Sequence, residues 1–282
     1  MTGADSDVAL DVFGLTDRGR VRDGNEDHFL VAQVNRWIDV RQTSLSPAAV
    51  AHQFGHGMGG TMLAVADGVG GRAEGELASE RTLAAMLQYM RRAASCFQSL
   101  DTDEEHALLE KLEEVVRNVH DALIEEYGGV SARLPATTLT MVLIAWPRAY
   151  HVHVGDSRAY VRRGGTLQRL TRDQSFGEFM TSVGAWTDEQ ARLASTAETL
   201  ASAIGGSELT PVVGLIDLVP GDSLLLCTDG LTKHVSDEEI SQALARPESA
   251  ESTARALVRD ALERGGSDNV TVVVVRTTAA DE

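Results

Sequence analysis

Two apolar runs in this chain each stop on an Asp-Gly pair. Leu63-Ala64-Val65-Ala66 runs into Asp67-Gly68, and Leu224-Leu225-Leu226-Cys227-Thr228 runs into Asp229-Gly230. Runs this short fit strands buried in a sheet. An acidic side chain at the end of such a strand, followed by a residue with no side chain, presents a carboxylate and an unhindered carbonyl to a hard metal ion. Asp268 comes just before Val270-Thr271-Val272-Val273-Val274-Val275, and Asp156 follows His151-Val152-His153-Val154. Four acids at strand ends, spread over most of the chain, point to one oxygen-lined metal site assembled by the fold.

An apolar content of 43% over 282 residues allows a substantial core, in one large domain or two. The formal net charge of −17 argues against nucleic-acid binding, which needs clustered Lys and Arg on the phosphates. It fits a holder of divalent cations, although most of the acids belong to solvated surface. Lys111 and Lys233 are the only lysines, and neither follows a Gly, so no P-loop exists. Cys227 reads as a small core residue, and with the distant Cys96 it makes neither a disulfide framework nor a zinc site. No basic-then-apolar leader opens the chain, and no apolar run approaches the ~18 residues of a membrane span. The expectation is a soluble cytoplasmic protein with no membrane or nucleic-acid partner.

Alternation predicts strands over 8–15, 27–34 and 61–66. Residues 35–60 contain a glycine-rich stretch from Gly55 to Gly60 and read as a flexible excursion. Gly68, Gly70, Gly71 and Gly75 predict a tight loop after Asp67. Helical spacing covers about 76–94 and 103–127, where Leu108, Leu112, Val115, Val116, Val119 and Leu123 recur. Strands are expected at 137–145, 149–154, 157–163, 212–218, 222–228 and 269–276. Short helices are expected at 174–183 and 187–194, and further helices at 236–244 and 249–264. The consecutive long helices break any regular βαβ alternation, which favours a layered α+β protein of two sheets covered by helices. The metal-type acids run from residue 27 to residue 268, so one domain is favoured over two.

Taken singly, each acidic motif has an ordinary reading. Asp67-Gly68, Asp229-Gly230 and Asp268-Asn269 are turn residues at strand ends, and Asp156 suits a hairpin. Arg22, five residues before Asp27, is a forked cation able to sit beside a metal carboxylate or grip phosphate oxygens in a bidentate way. His151 and His153 share one sheet face and read as structural. His52 and His56 are four apart, but their glycine-rich setting disfavours a helical zinc pair. Trp37 and Trp186 are single aromatics in polar surroundings. The acids gain weight as a set, in a chain with no other catalytic signature and no G-x-S-x-G nucleophile elbow.

That set, in order, is Arg22-x-x-Asn25-Glu26-Asp27, Val65-Ala66-Asp67-Gly68-Val69-Gly70-Gly71, Ala136-Thr137-Thr138-Leu139, Val154-Gly155-Asp156-Ser157-Arg158-Ala159, Leu170-Thr171-Arg172-Asp173-Gln174-Ser175, Thr228-Asp229-Gly230-Leu231 and Asp268-Asn269-Val270-Thr271. It resembles the bacterial branch of the PP2C (PPM) family of metal-dependent serine/threonine protein phosphatases, over roughly residues 8–277. The resemblance implies a single domain spanning 1–282. Its fold would be a four-layer α-β-β-α sandwich, two antiparallel sheets flanked by helices, with the metals at one end. It implies two Mg²⁺ or Mn²⁺ ions and a third position. Asp67 would bridge the two ions, and Asp229 and Asp268 would complete the shell of one. The carbonyl of Gly68 would serve the other, with Asp27 nearby and Glu26 as an additional ligand if the strand ends there. Asp156 and Asp229 match the third position, and Arg22 matches the phosphate clamp. Asp67 and Asp229, with Arg22, would carry the catalysis.

The resemblance further implies phosphoserine and phosphothreonine hydrolysis by direct attack of a metal-bridging water, with no covalent intermediate. The implied partners are phosphorylated proteins, a serine/threonine kinase or its substrates, and the family is commonly monomeric. Animal and plant members carry a His after the Asp-Gly where this chain has Val69, so the expected proton donor is a metal-bound water. Residues 173–206 match the bacterial flap but carry Ala194 to Thr199 where a His-Pro and an Arg-Asn often occur. Two other classes compete: a pseudophosphatase acting as a binding scaffold, and a hydrolase of small phosphorylated metabolites on the same fold.

Overall fold

Strands that are apolar at every position need a cover on both faces, and this chain builds two sheets that each have one. The computed structural model describes residues 8–34, 38–46, 60–70, 73–93, 102–127 and 135–279. Its first half holds β1 (Val8–Asp17), β2 (Asp27–Val34), β3 (Ile38–Thr43) and β4 (Gly60–Val69), then α1 (Ala73–Ala93) and α2 (Thr102–Tyr127). β5 (Ala136–Thr137), β6 (Leu139–Ala145), β7 (Arg148–Val154), β8 (Arg158–Arg163) and β9 (Thr166–Arg169) follow. The flap carries α3 (Phe176–Ser182) and α4 (Asp188–Leu193). The chain then forms β10 (Val212–Asp217), β11 (Ser223–Cys227), α5 (Asp229–Thr232), α6 (Asp237–Ala245), α7 (Ala250–Glu263) and β12 (Val270–Ala279).

One sheet runs β1-β12-β11-β8-β9 and the other β10-β7-β6-β4-β2-β3, with β5 paired to the end of β4. Every pairing within them is antiparallel. Alternation along each strand divides the core into layers. Leu63 and Val65 on β4, with Phe29 and Val31 on β2, meet Leu224 and Leu226 of β11 and Val273 and Val275 of β12 between the sheets. The intervening Met62, Ala64 and Ala66 pack under Leu83, Met86 and Met90 of α1 and Leu112 and Val116 of α2. On the far side, Val272, Val274 and Cys227 pack under Ala254, Leu257 and Ala261 of α7. This is the four-layer α-β-β-α arrangement, and it explains why the strands read as unbroken apolar runs.

Helix ends are set locally. Ser236 and Glu239 form a reciprocal capping box on α6, and Ser249 accepts from the backbone N–H of Ser252 to cap α7. No described helix is long and apolar enough to cross a membrane.

Four details differ from the sequence expectations. Residues 38–43 lie inside the stretch read as a flexible excursion, yet they form β3, an edge strand paired to β2. The remainder of that stretch apart from 44–46 and Gly60, with Trp37, His52 and His56, lies outside the described residues, as does Cys96. Gly68 is not in the loop after β4 but in the strand itself, paired with Thr137. The short β9 and the single-turn α5 were not anticipated. Both are too brief for periodicity to register. The expected structural role of His153 holds, with the ring fully buried: it faces Thr140 Oγ1 at 2.9 Å and the Arg172 carbonyl at 3.0 Å.

Candidate metal centre

The alternation that builds the inter-sheet core also delivers the acids. Asp67 continues the Leu63–Val65 face of β4, and Asp27 continues the Phe29–Val31 face of β2, so both point between the sheets at one end of the sandwich. The two residues are direct cross-strand partners, an arrangement of like charges that is unfavourable unless something neutralises it. From the opposite sheet, Thr228 and Thr271 donate hydroxyl hydrogen bonds to Asp27 Oδ2 at 2.8 and 2.7 Å. The polar end of the sandwich is thus tied across both sheets.

Turns bring in the rest. Gly155 adopts a positive φ of 103°, and a Cβ there would stand 2.5 Å from the Thr138 methyl, so only glycine makes this turn and presents Asp156. Asp229 opens α5 directly beyond β11. Carboxylate oxygens of Asp67, Asp156 and Asp229 all lie within 4.8 Å of one another. Asp268 stands at the start of β12, held by Arg22 through Nε (2.7 Å) and a terminal nitrogen (2.8 Å) and by Lys233 Nζ (2.8 Å).

Arg22, Glu26, Asp67, Gly68, Asp156, Asp229 and Asp268 line one cavity of about 330 Å³. Asp27 lies beneath it, clasped by the two threonines. Glu26 precedes the first residue of β2, so the condition for both acids of the Glu26-Asp27 pair to face the site is met. Its loop is pinned by Asn269, whose side chain accepts from the Glu26 N–H at 2.8 Å and donates to the carbonyls of Arg18 and Gly24. Asp67 is fixed through its backbone: Thr138 and Thr137 both donate to its carbonyl at 2.9 Å, and its N–H donates to Thr138 Oγ1.

Burial and mutual repulsion govern the charges. Asp27 is pushed up to about 7 by burial, with Asp229 and Asp268 adding to the effect and the two threonine hydroxyls opposing it. Burial and then Asp229 and Asp173 push Asp156 up to about 8. Asp67 is raised well above the ordinary carboxylate range by burial and by four neighbouring acids. Asp268 goes the other way: burial would raise it, but Lys233 and Arg22 outweigh that and hold it low.

The donor set fits a hard divalent ion. It is entirely oxygen, with no described cysteine or histidine on the cavity wall. Asp27 Oδ1 and Asp229 Oδ1 are buried with no hydrogen-bond partner, a costly state for a carboxylate oxygen unless a cation satisfies it.

Four residues of the site escaped the sequence reading. Lys233 bridges Asp229 and Asp268, and its signal was the i,i+4 spacing from Asp229, visible only once a helical turn is placed there. Glu198 of the flap reaches the cavity that holds Asp67 and Asp229. Thr228 and Thr271 hold Asp27, and their signal was their place on the inward strand face.

The raised acids give a pH expectation with a definite sign. In the metal-free protein Asp27 and Asp156 hold protons that they lose on unfolding, so stability falls as pH rises toward and through about 7 and 8. The buried His153, held down to about 4 by burial, acts in the opposite direction but has ceased to contribute above its unfolded pKa. The melting temperature of chelator-stripped protein should drop by several degrees from pH 6.5 to 8.5, and saturating Mn²⁺ should remove most of that drop. A flat metal-free profile would contradict the clustering of these acids.

Comparison with known proteins agrees with this geometry. The model of the protein phosphatase 2C family matches residues 49–265. The chain is similar to the serine/threonine protein phosphatase PstP of Mycobacterium tuberculosis, 40% identical over 220 residues, 77% of this chain and 40% of that protein. It is also similar to the protein phosphatase PhpP of Streptococcus pneumoniae, 29% identical over 276 residues, 96% of this chain and 99% of that one. Among solved structures, a PstP catalytic domain in complex with two manganese ions superposes with a TM-score of 0.70 at 35% identity, covering 96% of this chain and 99% of that chain. The chain belongs to the protein phosphatase 2C family, and its layered fold, here with one acidic end, is the arrangement shared with that structure. It spans 40% of the length of its mycobacterial relative PstP.

Proposed function

We propose that this chain is a metal-dependent protein phosphatase that hydrolyses phosphoserine and phosphothreonine. The observation that carries the proposal is the convergence of Asp67, Asp156 and Asp229 with Arg22 on one cavity. Mg²⁺ or Mn²⁺ bound there would supply the positive charge that a transferring phosphoryl group demands and lower the pKa of the attacking water. Asp67 would be shared between two ions, with Asp229 and Asp268 on one side and the Gly68 carbonyl, Asp27 and Glu26 on the other. Asp156 would hold a third position with Asp229.

The other residues position and neutralise. Arg22 has a planar, permanently charged fork at the cavity wall, suited to orienting a phosphoryl group. Thr228 and Thr271 keep Asp27 in register across the two sheets, so the acids cannot drift apart as charge enters. Val69 is 41% exposed and carries no proton to donate, so a water of the metal site would protonate the leaving group.

A protein substrate is favoured by the surroundings. A groove of about 780 Å³ between the flap and α5 shares Asp156, Asp229 and Lys233 with the metal cavity, which leaves room for a peptide beside the phosphorylated side chain. Phosphorylated proteins, among them a serine/threonine kinase or its substrates, are the proposed partners. The proposed unit is a single-domain, cytoplasmic monomer.

Purified protein should release phosphate from a phosphothreonine peptide and from p-nitrophenyl phosphate with Mn²⁺, and lose both activities in EDTA. Faster turnover of sugar phosphates than of the peptide would redirect the proposal to metabolites. Tight Mn²⁺ binding without turnover would favour a scaffold.

A further inference from the structure

Lys233 introduces a second cation beside the site's acids, where the family resemblance assigns only Arg22. Its Nζ lies 2.6 Å from Asp229 Oδ2 and 2.8 Å from Asp268 Oδ2, so one ammonium spans the two acids assigned to a single ion. α5 itself cannot easily move. Leu231 is fully buried, and a Cβ on Gly230 would stand 1.9 Å from the Asn269 carbonyl, so the helix is packed against the start of β12. The side chain, by contrast, is a flexible four-carbon stem. It borders both the 330 Å³ cavity and the 780 Å³ groove, so open space lies next to it. Arg22 already contacts both oxygens of Asp268 from the other side.

We propose that Lys233 is an internal counter-cation of the metal centre: it occupies the Asp229–Asp268 pair when no divalent ion is bound, and it must swing into the groove for those oxygens to coordinate. The inference rests on the metal-dependent reading above and adds a regulatory consequence. Lys233 stabilises the metal-free site and raises the divalent concentration at which the site loads. The groove side also carries Glu198, which gives the displaced ammonium an acidic partner, whereas Asp173 there is already paired with Arg158.

Three measurements test this. Calorimetric titration of metal-free protein with Mn²⁺ should show at least tenfold tighter binding in Lys233→Gln than in wild type. The metal-free variant should melt lower, and Mn²⁺ should raise its melting temperature by more. Should the variant fail to fold without metal, wild type alone suffices. Lys111, far along the chain on α2, is the only other lysine and serves as an internal reference. Acetylation of Lys233, read by mass spectrometry relative to Lys111, should rise several-fold on adding Mn²⁺. Equal or weaker Mn²⁺ affinity in folded Lys233→Gln, or Lys233 labelling that is unchanged or falls with Mn²⁺, overturns the inference and leaves the phosphatase proposal standing. If neither protein binds Mn²⁺, both fall together.

Discussion

Asp67→Asn should lower kcat for phosphothreonine-peptide hydrolysis by at least ~10³-fold while leaving the metal-free protein as stable as wild type or more so. Removing one preorganised electrostatic group at a reacting centre costs about 10²–10³ in kcat, and a carboxylate proposed to serve both ions belongs at the upper end. The stability half has a separate cause. Asp67 is half-buried beside Asp27, Asp229, Asp156 and Asp268, and its ionised form is disfavoured in the metal-free state. Its backbone bonds to Thr137 and Thr138 do not depend on the side chain. An amide of the same shape removes the cost of holding that carboxyl against its acidic neighbours and leaves that framework intact, an exchange of stability for function common at active sites. Activity within fivefold of wild type would remove Asp67 from the chemistry. A large loss of stability would mean that the carboxylate is structural.

Gly68→Ala should damage both the site and the fold. A Cβ at Gly68 would stand 2.2 Å from the Gly75 carbonyl oxygen, 2.4 Å from the Gly75 carbonyl carbon and 2.9 Å from the Glu26 carbonyl oxygen. All three are backbone atoms, so β4, the first turn of α1 or the loop before β2 has to shift. Overpacking of this kind costs about 1–3 kcal/mol, or a few degrees per kcal/mol in melting temperature for a large domain. A displacement near 1 Å at a reacting centre lowers turnover about 10²-fold. Gly24→Ala is the control: it lies in the same loop as Glu26, nothing stands within 4 Å of its Cβ position, and it should melt within about 0.5 kcal/mol of wild type. Comparing the melting midpoints and kcat of the two variants checks this. Equal behaviour would contradict the close approach of β4 to α1.

Much of this site was legible in the sequence because the same alternation that buries Leu63 and Val65 carries on to Asp67, and likewise from Phe29 to Asp27. The acids could therefore be gathered before any fold was known. Which acids meet most closely was not legible. Among the described residues the triple that meets within 4.8 Å contains Asp156 rather than Asp268, and Asp268 is instead held by Arg22 and Lys233. Lys233 depends on a single helical turn, and one turn leaves no periodic trace. β3 was hidden for a different reason. Ile38-Asp39-Val40-Arg41-Gln42-Thr43 alternates weakly, next to a glycine-rich stretch, and its strand identity comes from pairing with β2 across a register shift. Gly68 read as loop because glycine signals turns, whereas here it serves a close approach of two backbones inside a strand.

Crystals grown with Mn²⁺, with anomalous scattering measured at the manganese edge, test the central claim most directly. The account predicts two strong peaks inside the 330 Å³ cavity, both within coordination distance of Asp67, with Asp229 and Asp268 beside one of them. Peaks confined to surface acids, or none near Asp67 at saturating Mn²⁺, would contradict it.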